Sequence, residues 1–369
     1  MEKYRFTYQD IHRTVKSLAG RITASDYDPD VIVAIGSGGF IPARMLRTFI
    51  NRPILTVGVA YYDKDNKPTA NPRKVQWIEE AERELRGKRI LLVDEVDDSR
   101  ATLEYCVREL LAHGPAAIAV AVIHNKLKEK RGAMPEEVAL YLSGLDIADK
   151  WVCYPWDARD IDEHDRLAWE EKGEKKAALR TEMKERLRGV DDAERAKRSA
   201  AAAASFSELA AYASADMVLA FLSMRDEIDS APAIDAALAA GKRVAVPRIA
   251  GDDIEFVELG GEWRSWPRDR WDIPAPPAAL EALAVKALSG LNCLVMAPGL
   301  AFDLDGGRLG RGKGYYDRFL SSLHAARRKS ESPEGMAGLF VAAYGYSFQR
   351  VSSVPRNISD QAVDTLILA

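Results

Sequence analysis

Apolar residues in the first half of the chain recur with two periods. Ile11, Val15, Leu18 and Ile22 fall three or four residues apart, the spacing of one helix face, and Leu103, Val107 and Leu110 repeat it. Residues 31–35, 54–60, 89–93 and 117–123 are short apolar runs between such patterns and predict strands. Short apolar strands alternating with helices predict a parallel sheet covered on both faces, with ligands at the carboxyl ends of its strands. In the second half Leu179, Met183 and Leu187 mark a helix starting at Lys175, and the alanine-rich run 200–204 sits in a helix-favouring context. Strands are predicted at 217–222, 243–247, 254–259, 293–297, 340–344 and 363–368. The fold class is therefore α/β, with two domains, each a mostly parallel sheet flanked by helices.

Residues 157–176 are dense in charge and poor in apolar residues, which places a charged linker at 166–174 between domains at 1–165 and 175–369. A chain of 369 residues suits two domains. The polar run 61–76 reads equally as a lid over a site or as a plain surface loop. The net charge of −4 gives no electrostatic footprint for nucleic acid. Cys106, Cys153 and Cys293 fit no metal or redox spacing, and the five histidines form no close pair. The N-terminus lacks an apolar signal core, and the apolar run 116–123 is too short to span a bilayer. These features predict a cytoplasmic protein with no membrane and no nucleic-acid partner.

Two segments carry chemistry. Residues 94–98 place Asp94, Glu95, Asp97 and Asp98 just after a buried strand, where acids are costly unless they bind something. Asp94 and Glu95 suit ribose hydroxyls and the Mg²⁺ on a pyrophosphate. Ser99, Arg100, Ala101 and Thr102 occupy a helix N-terminus, where N–H groups favour a phosphate. Solvated helix-capping acids are the alternative. The second segment runs from Gly307 through four residues to Gly312 and Lys313. It is a P-loop up to its last position, where Gly314 replaces the Ser or Thr that would hold Mg²⁺. Asp317 offers a carboxylate for that work. The substitution at 314 argues against an ordinary P-loop nucleotide hydrolase.

The 94–102 segment resembles the phosphoribosyl diphosphate signature of type I phosphoribosyltransferases, and its Glu-Val-Asp-Asp-Ser-Arg version is similar to fungal hypoxanthine-guanine enzymes. The similarity covers most of residues 1–165. It implies a pyrophosphate loop at Ser37, Gly38 and Gly39, phosphoribosyl diphosphate binding by Asp94, Glu95, Asp98, Ser99, Arg100, Ala101 and Thr102, and purine binding by Lys126, Trp151 and Val152. Asp98 takes the position of the family's general acid/base, and Asp157 adds a metal contact to Asp94 and Glu95. Arg100 stands where most members have Gly, and Ser99 where they have Thr. Nothing selects among hypoxanthine, guanine and xanthine. A non-catalytic sensor of phosphoribosyl diphosphate or nucleotide remains the alternative.

Residues 298–317 resemble 5-formyltetrahydrofolate cyclo-ligase (methenyltetrahydrofolate synthetase), joining a Pro-Gly-x-x-Phe-Asp strand end to Arg308, Leu309, Gly310, Arg311, Gly312, Lys313, Gly314, Tyr315, Tyr316 and Asp317. The resemblance covers about 174–369. It implies ATP binding by 308–316 together with Lys176 and Arg180, which share one helix face. It implies folate binding by Leu222, Glu227, Trp271 and Tyr316, Mg²⁺ contacts from Asp317 and Asp360, and catalytic roles for Lys313 and Arg308. The joint expectation is a bifunctional enzyme of one-carbon metabolism and purine salvage. Its expected substrates are 5-formyltetrahydrofolate, ATP, phosphoribosyl diphosphate and a purine base, Mg²⁺ is the expected cofactor, and the N-terminal domain is a candidate for self-association.

Overall fold

The computed structural model describes residues 3–62, 68–260, 262–328, 338–357 and 359–369. The chain divides into two compact units, Met1–Ala168 and Trp169–Ala369. Among the described residues no helix is long and apolar enough to cross a membrane.

In the first unit six strands form one sheet, in the order Pro68–Gln76, Ile54–Tyr62, Val31–Gly36, Arg89–Asp97, Ala117–Leu127, Val138–Ala148. All neighbours are parallel except the first pair, which is antiparallel. Successive side chains in a strand face opposite ways. Ile32 and Ala34, Leu91 and Val93, and Ala119, Ala121 and Ile123 therefore join the core beneath helices Tyr8–Thr23 and Phe40–Ile50. Val31, Val33 and Ile35, with Ile90 and Leu92, join a second core with helix Ala101–Leu111. Burial on both faces is why these strands are continuously apolar. Helix Tyr8–Thr23 opens with a capping box: the Asp10 amide donates to Thr7 Oγ1 at 3.3 Å, and the Thr7 amide donates to Asp10 Oδ2 at 2.7 Å. It buries Ile11, Val15, Leu18 and Ile22, the four positions that announced it.

The second unit holds a seven-stranded sheet in the order Ala282–Leu283, Asp253–Glu258, Arg243–Ala250, Met217–Leu219, Cys293–Ala297, Leu339–Gly345, Thr365–Leu368. The first two pairings are antiparallel and the rest parallel. Val218, Leu294, Met296, Ala342 and Tyr344 face one core, while Met217, Leu219, Cys293, Val295, Val341 and Ala343 face the other. The alanine-rich run lies within helix Asp192–Ser207, with Ala202, Ala203 and Phe206 buried.

Three expectations change. Residues 166–174 lie inside one continuous helix, Ile161–Arg188, so the helix starts well before Lys175 and the charged stretch is not an irregular connection. Glu and Lys are strong helix formers, and charge density by itself does not break a helix. The run 61–76 contains the strand Pro68–Gln76 rather than being all loop, and its residues 63–67 lie outside the described residues. An edge strand needs only one partner and no regular apolar alternation, so its polar sequence hid it. The strand predicted at 217–222 ends at Leu219.

Candidate functional sites

In the first unit three separated segments meet at the carboxyl ends of the strands. The turn 37–39 follows strand Val31–Gly36, and a Cβ on Gly38 would lie 2.3 Å from the Glu95 carboxyl carbon. A Cβ on Gly39 would lie 2.5 Å from the Val93 carbonyl oxygen, so only glycine lets this turn approach the neighbouring strand end. Glu95 in turn accepts a hydrogen bond from Trp156 Nε1 at 3.0 Å. Asp157, at the end of the short helix Pro155–Asp157, adds its charge to this corner. Burial pushes Asp94 well above the usual carboxylate range, and the Glu95 charge adds to it. Burial, against the Trp156 hydrogen bond and reinforced by Asp157, raises Glu95 to about 7. Burial also raises Asp157.

Hard carboxylate oxygens in a buried corner, where burial disfavours their ionised form and no cation pairs with them among the described residues, suit a divalent cation such as Mg²⁺. Among the described residues no set of three His, Cys, Asp or Glu side chains closes on one point. That fits Mg²⁺ shared with substrate phosphates and water, as this ion usually binds, and not a site made by protein alone.

The adjacent acids are neutralised internally. Lys126 Nζ donates to Asp98 Oδ2 at 2.9 Å and lies 3.6 Å from Asp149 Oδ1. Lys128 ion-pairs with both Asp98 and Asp149. Burial alone would raise Asp98, but the hydrogen bonds from Lys128 and Lys126 outweigh it and hold the carboxyl below its ordinary value. The predicted acid/base and the predicted purine lysine thus touch each other. Trp151, beyond Asp149 on strand Trp151–Cys153, is 53% exposed, with Val152 half-buried. Ser99, Ala101 and Thr102 stand at the start of helix Ala101–Leu111. Arg100 precedes it with φ of 66°, which accounts for glycine being common there. Its guanidinium binds Asp97 Oδ2 at 2.7 and 2.9 Å, so it is paired within the protein rather than held out for a phosphate.

Sequence reasoning missed Lys128, Lys130 and Trp156. Alternation of Lys126, Lys128 and Lys130 past the strand end was the available signal. It also missed the buried pair beneath the corner: His124 Nδ1 lies 2.9 Å from the Tyr154 hydroxyl, which donates to the Glu95 carbonyl at 3.1 Å. Burial drops His124 to about 3, so the imidazole is neutral.

In the second unit a buried acid holds the turn that leads into the loop 308–314. Asp303 is 2% exposed, and its carboxylate accepts from the amides of Gly307 at 2.6 Å, Asp305 at 3.0 Å and Val354 at 2.7 Å. Its role was not anticipated, although it closes the Pro-Gly-x-x-Phe-Asp pattern. Gly312 and Gly314 take φ of 110° and 69°, conformations that other residues rarely adopt. Lys313 is exposed beside the start of helix Tyr315–Arg328. Arg180 Nε donates to the Gly310 carbonyl at 3.0 Å, which draws helix Ile161–Arg188 onto the loop. Arg308, 6% exposed, donates to Asp317 Oδ1 at 2.8 Å, and the Gln361 amide reaches the same oxygen at 3.0 Å. Lys176 Nζ lies 2.5 Å from Asp360 Oδ2. The Gln361 contact brings the segment that carries Asp360 up to Asp317, and each of the two acids has one oxygen engaged by a base. Two carboxylates beside a basic loop fit a Mg²⁺ held mainly by phosphates.

Of the predicted folate residues Glu227, Tyr316 and Leu222 adjoin this loop, and no contact among the described residues brings Trp271 to it. Arg311 bridges to Asp226 at 2.7 Å and Glu227 at 3.0 Å, so the arginine assigned to ATP and the glutamate assigned to folate are partners here. The Glu227 carboxylate also accepts the Met224 amide at 3.0 Å. Burial raises the Tyr316 phenol, with Arg308 opposing and Glu227 reinforcing, and its hydroxyl meets no partner among the described residues. It lies between the two predicted sites. Leu222 is 8% exposed, and Trp271 is 37% exposed with Arg270 over its ring. Tyr315 is half-buried, with Arg318 over its ring. The Leu309 side chain is in the core at 1% exposure, so only its backbone faces the loop.

Comparison with known proteins agrees with this division. The phosphoribosyl transferase domain matches residues 7–156, and the 5-formyltetrahydrofolate cyclo-ligase family matches residues 172–369. Hypoxanthine-guanine phosphoribosyltransferase of Schizosaccharomyces pombe is 37% identical over 43% of this chain and 91% of its own length. The 5-formyltetrahydrofolate cyclo-ligase of Mus musculus is 30% identical over 52% of this chain and 92% of its own length. A crystal structure of a hypothetical protein from Neisseria gonorrhoeae with bound ppGpp is 50% identical, covering 46% of this chain and 97% of that one at a TM-score of 0.44. The chain belongs to the 5-formyltetrahydrofolate cyclo-ligase family through residues 172–369, and carries a phosphoribosyl transferase domain at residues 7–156.

Proposed function

We propose that the chain is a bifunctional cytoplasmic enzyme of purine salvage and one-carbon metabolism. The first unit transfers phosphoribose from phosphoribosyl diphosphate to a purine base. The second converts 5-formyltetrahydrofolate to 5,10-methenyltetrahydrofolate with ATP. The observation that supports the first reading most is the convergence of distant segments: Gly38 on Glu95, Glu95 on Trp156, and Lys126 on Asp98.

In the transferase reaction a purine nitrogen bonds to the ribose anomeric carbon as the bond to diphosphate breaks, through an oxocarbenium-like state. The diphosphate leaves with the electron pair, and amides of the 37–39 turn receive its charge. The N–H groups at 99–102 hold the 5′-phosphate. Trp151 stacks on the base, the Val152 backbone meets its edge, and Lys126 donates to its oxygen. Asp98, kept anionic by Lys126 and Lys128, accepts the proton at purine N7.

In the cyclo-ligase reaction the formyl oxygen takes the γ-phosphoryl group and ADP leaves. N10 then bonds to the formyl carbon and releases its proton to solvent, and phosphate departs with the C–O electron pair. Lys313, Arg308, Arg180, Lys176 and the glycine amides balance phosphate charge. Glu227 binds the pterin ring, and Leu222, Trp271 and Tyr316 wall the folate. Mg²⁺ would offset phosphate charge in both units, held mainly by phosphates and water with contacts from among Asp94, Glu95 and Asp157 in the first and from Asp317 and Asp360 in the second.

Incubation of the full chain with phosphoribosyl diphosphate, MgCl₂ and hypoxanthine, guanine or xanthine tests the first activity. A nucleotide and diphosphate are expected with at least one base. No nucleotide with any base, together with cyclo-ligase kinetics altered by phosphoribosyl diphosphate, would make the first unit a sensor. Methenyl product from 5-formyltetrahydrofolate and ATP tests the second. ATP hydrolysis that is independent of folate would sink it.

A further inference from the structure

The segment after strand Ala117–Leu127 lies against the phosphate turn of the first unit and carries a residue with no role in the scheme above. Lys130 Nζ donates to the carbonyls of Asp97 at 2.6 Å and Asp98 at 3.1 Å. The amides of Arg131 and Gly132 both donate to the next carbonyl, that of Ser99, at 3.0 Å. The Ala133 amide donates to Glu104 Oε2 at 2.9 Å, which fastens the same segment to helix Ala101–Leu111. Three successive carbonyls, 97 to 99, are thus all drawn to residues 130–132.

In a trans peptide the C=O and the N–H of the next residue lie in one plane and point in opposite directions. Drawing those three carbonyls one way turns the N–H groups of Asp98, Ser99 and Arg100 the other way. They then continue into the unpaired amides that begin helix Ala101–Leu111. Successive N–H groups on one side form an anion-binding concavity.

The ammonium is itself held from below. Asp97, 0% exposed, lies 3.4 Å from Lys130 through Oδ1, while its Oδ2 accepts from Arg100 and from the Tyr141 hydroxyl at 2.8 Å. The Arg100 guanidinium also lies 5.2 Å over the Tyr141 ring. This network holds Arg100 in its left-handed conformation. The close approach leaves no room above it: a Cβ on Gly132 would sit 2.8 Å from the Arg100 carbonyl carbon and oxygen.

We propose that Lys130, seated on buried Asp97, is a positioning residue for the 5′-phosphate of the ribosyl substrate, acting by orienting the amides of residues 98–102 and not by touching the phosphate. The inference rests on the reading of the first unit as a phosphoribosyltransferase, and it assigns Arg100 to the same scaffold.

The test is calorimetric titration of the full chain with the 5′-monophosphates of inosine, guanosine and xanthosine, and with the parent nucleosides. Lys130→Met should weaken monophosphate binding at least about tenfold, equal to about 1.4 kcal/mol, and leave nucleoside binding within about twofold. Lys130→Arg should restore most of it. Gly132→Ala, which changes no charge, should reproduce the Lys130→Met loss by pushing the segment off the turn. Retained nucleoside binding reports that the first unit is folded in each variant, and cyclo-ligase turnover, which belongs to the second unit, should match wild type. Unchanged monophosphate binding in both variants overturns the inference and leaves the transferase reading standing. Equal loss for nucleoside and monophosphate also overturns it, since that marks general damage to the site. A wild-type chain that binds none of the monophosphates overturns the transferase reading and the inference with it.

Discussion

At the strand end 94–98 the cations gather on two of the four acids, whereas around the loop 308–317 Asp226, Glu227, Asp317 and Asp360 each have a base. Lys126 and Lys128 serve Asp98, and Arg100 and Lys130 serve Asp97, but Asp94 and Glu95 feel each other's charge, and Glu95 that of Asp157, with no ion-pair partner among the described residues. In the second unit Asp317 holds Arg308, Asp360 holds Lys176, and Asp226 and Glu227 share Arg311, while Lys313 remains exposed. On the proposed reading, one corner receives a cation that arrives with its phosphate. The other presents positive charge and glycine amides to an anion directly. If both bind a polyphosphate as proposed, they meet it by opposite electrostatic strategies, and the two sites should fail differently when perturbed.

The sharpest break in the comparison is a pair of substitutions. Lys313→Ala should lower cyclo-ligase turnover by about 10²–10³-fold, the scale expected for one preorganised charge, and leave nucleotide formation unchanged. Asp98→Ala should do the reverse, costing about 10²–10⁴-fold in nucleotide formation. Loss of both activities from either change would refute two independent sites.

Asp303→Ala should be the next largest effect. It strands the Gly307, Asp305 and Val354 amides, at about 1–3 kcal/mol for each donor left buried and unsatisfied. Thermal unfolding of the second unit should move down, while the first unit keeps its transition.

Glu95→Gln probes the acidic corner. A carboxyl raised from 4.5 to about 7 in the folded state is easier to keep protonated there than in the unfolded chain. Its penalty on folding is absent below about pH 4.5, grows as pH rises towards 7, and is fully present above it, at about 3 kcal/mol. Glu95→Gln should therefore stabilise the first unit at pH 8 and match wild type near pH 4.5, as read by urea unfolding at both pH values. Mg²⁺ should stabilise wild type more at pH 8 than at pH 5.5, and the variant less than wild type. No pH dependence of the difference would contradict the charge assignment.

Trp151→Ala should have the smallest effect on the protein and a selective one on its ligand. The side chain is largely exposed, so stability should change by no more than about 0.5 kcal/mol. Loss of stacking should raise KM for the base by roughly tenfold, with KM for phosphoribosyl diphosphate unchanged.

Much of this was legible in one sequence. Residues 31–35 and 117–123 are apolar throughout because both faces of their sheet are covered, and that pattern fixes strand, class and the end at which ligands bind. The glycines of 310–314 and the acids of 94–98 declared themselves because each is costly unless its place demands it. The strand Pro68–Gln76 was not legible, since a polar edge leaves no alternation. Helix Ile161–Arg188 was misread at 166–174 because charge was taken for irregularity.

The residue types at each phosphate turn, and hence the sign of the charge each can offer, follow from the order of the amino acids, since backbone freedom and ionisation belong to the residue itself. Which of those charges stay available does not. That Arg100 turns inward to Asp97, that Arg311 meets Glu227, and that Lys130 draws three carbonyls together depends on contacts between segments as many as 84 residues apart. Coulomb and hydrogen-bond energies fall off over a few ångströms, and only the folded chain sets those distances.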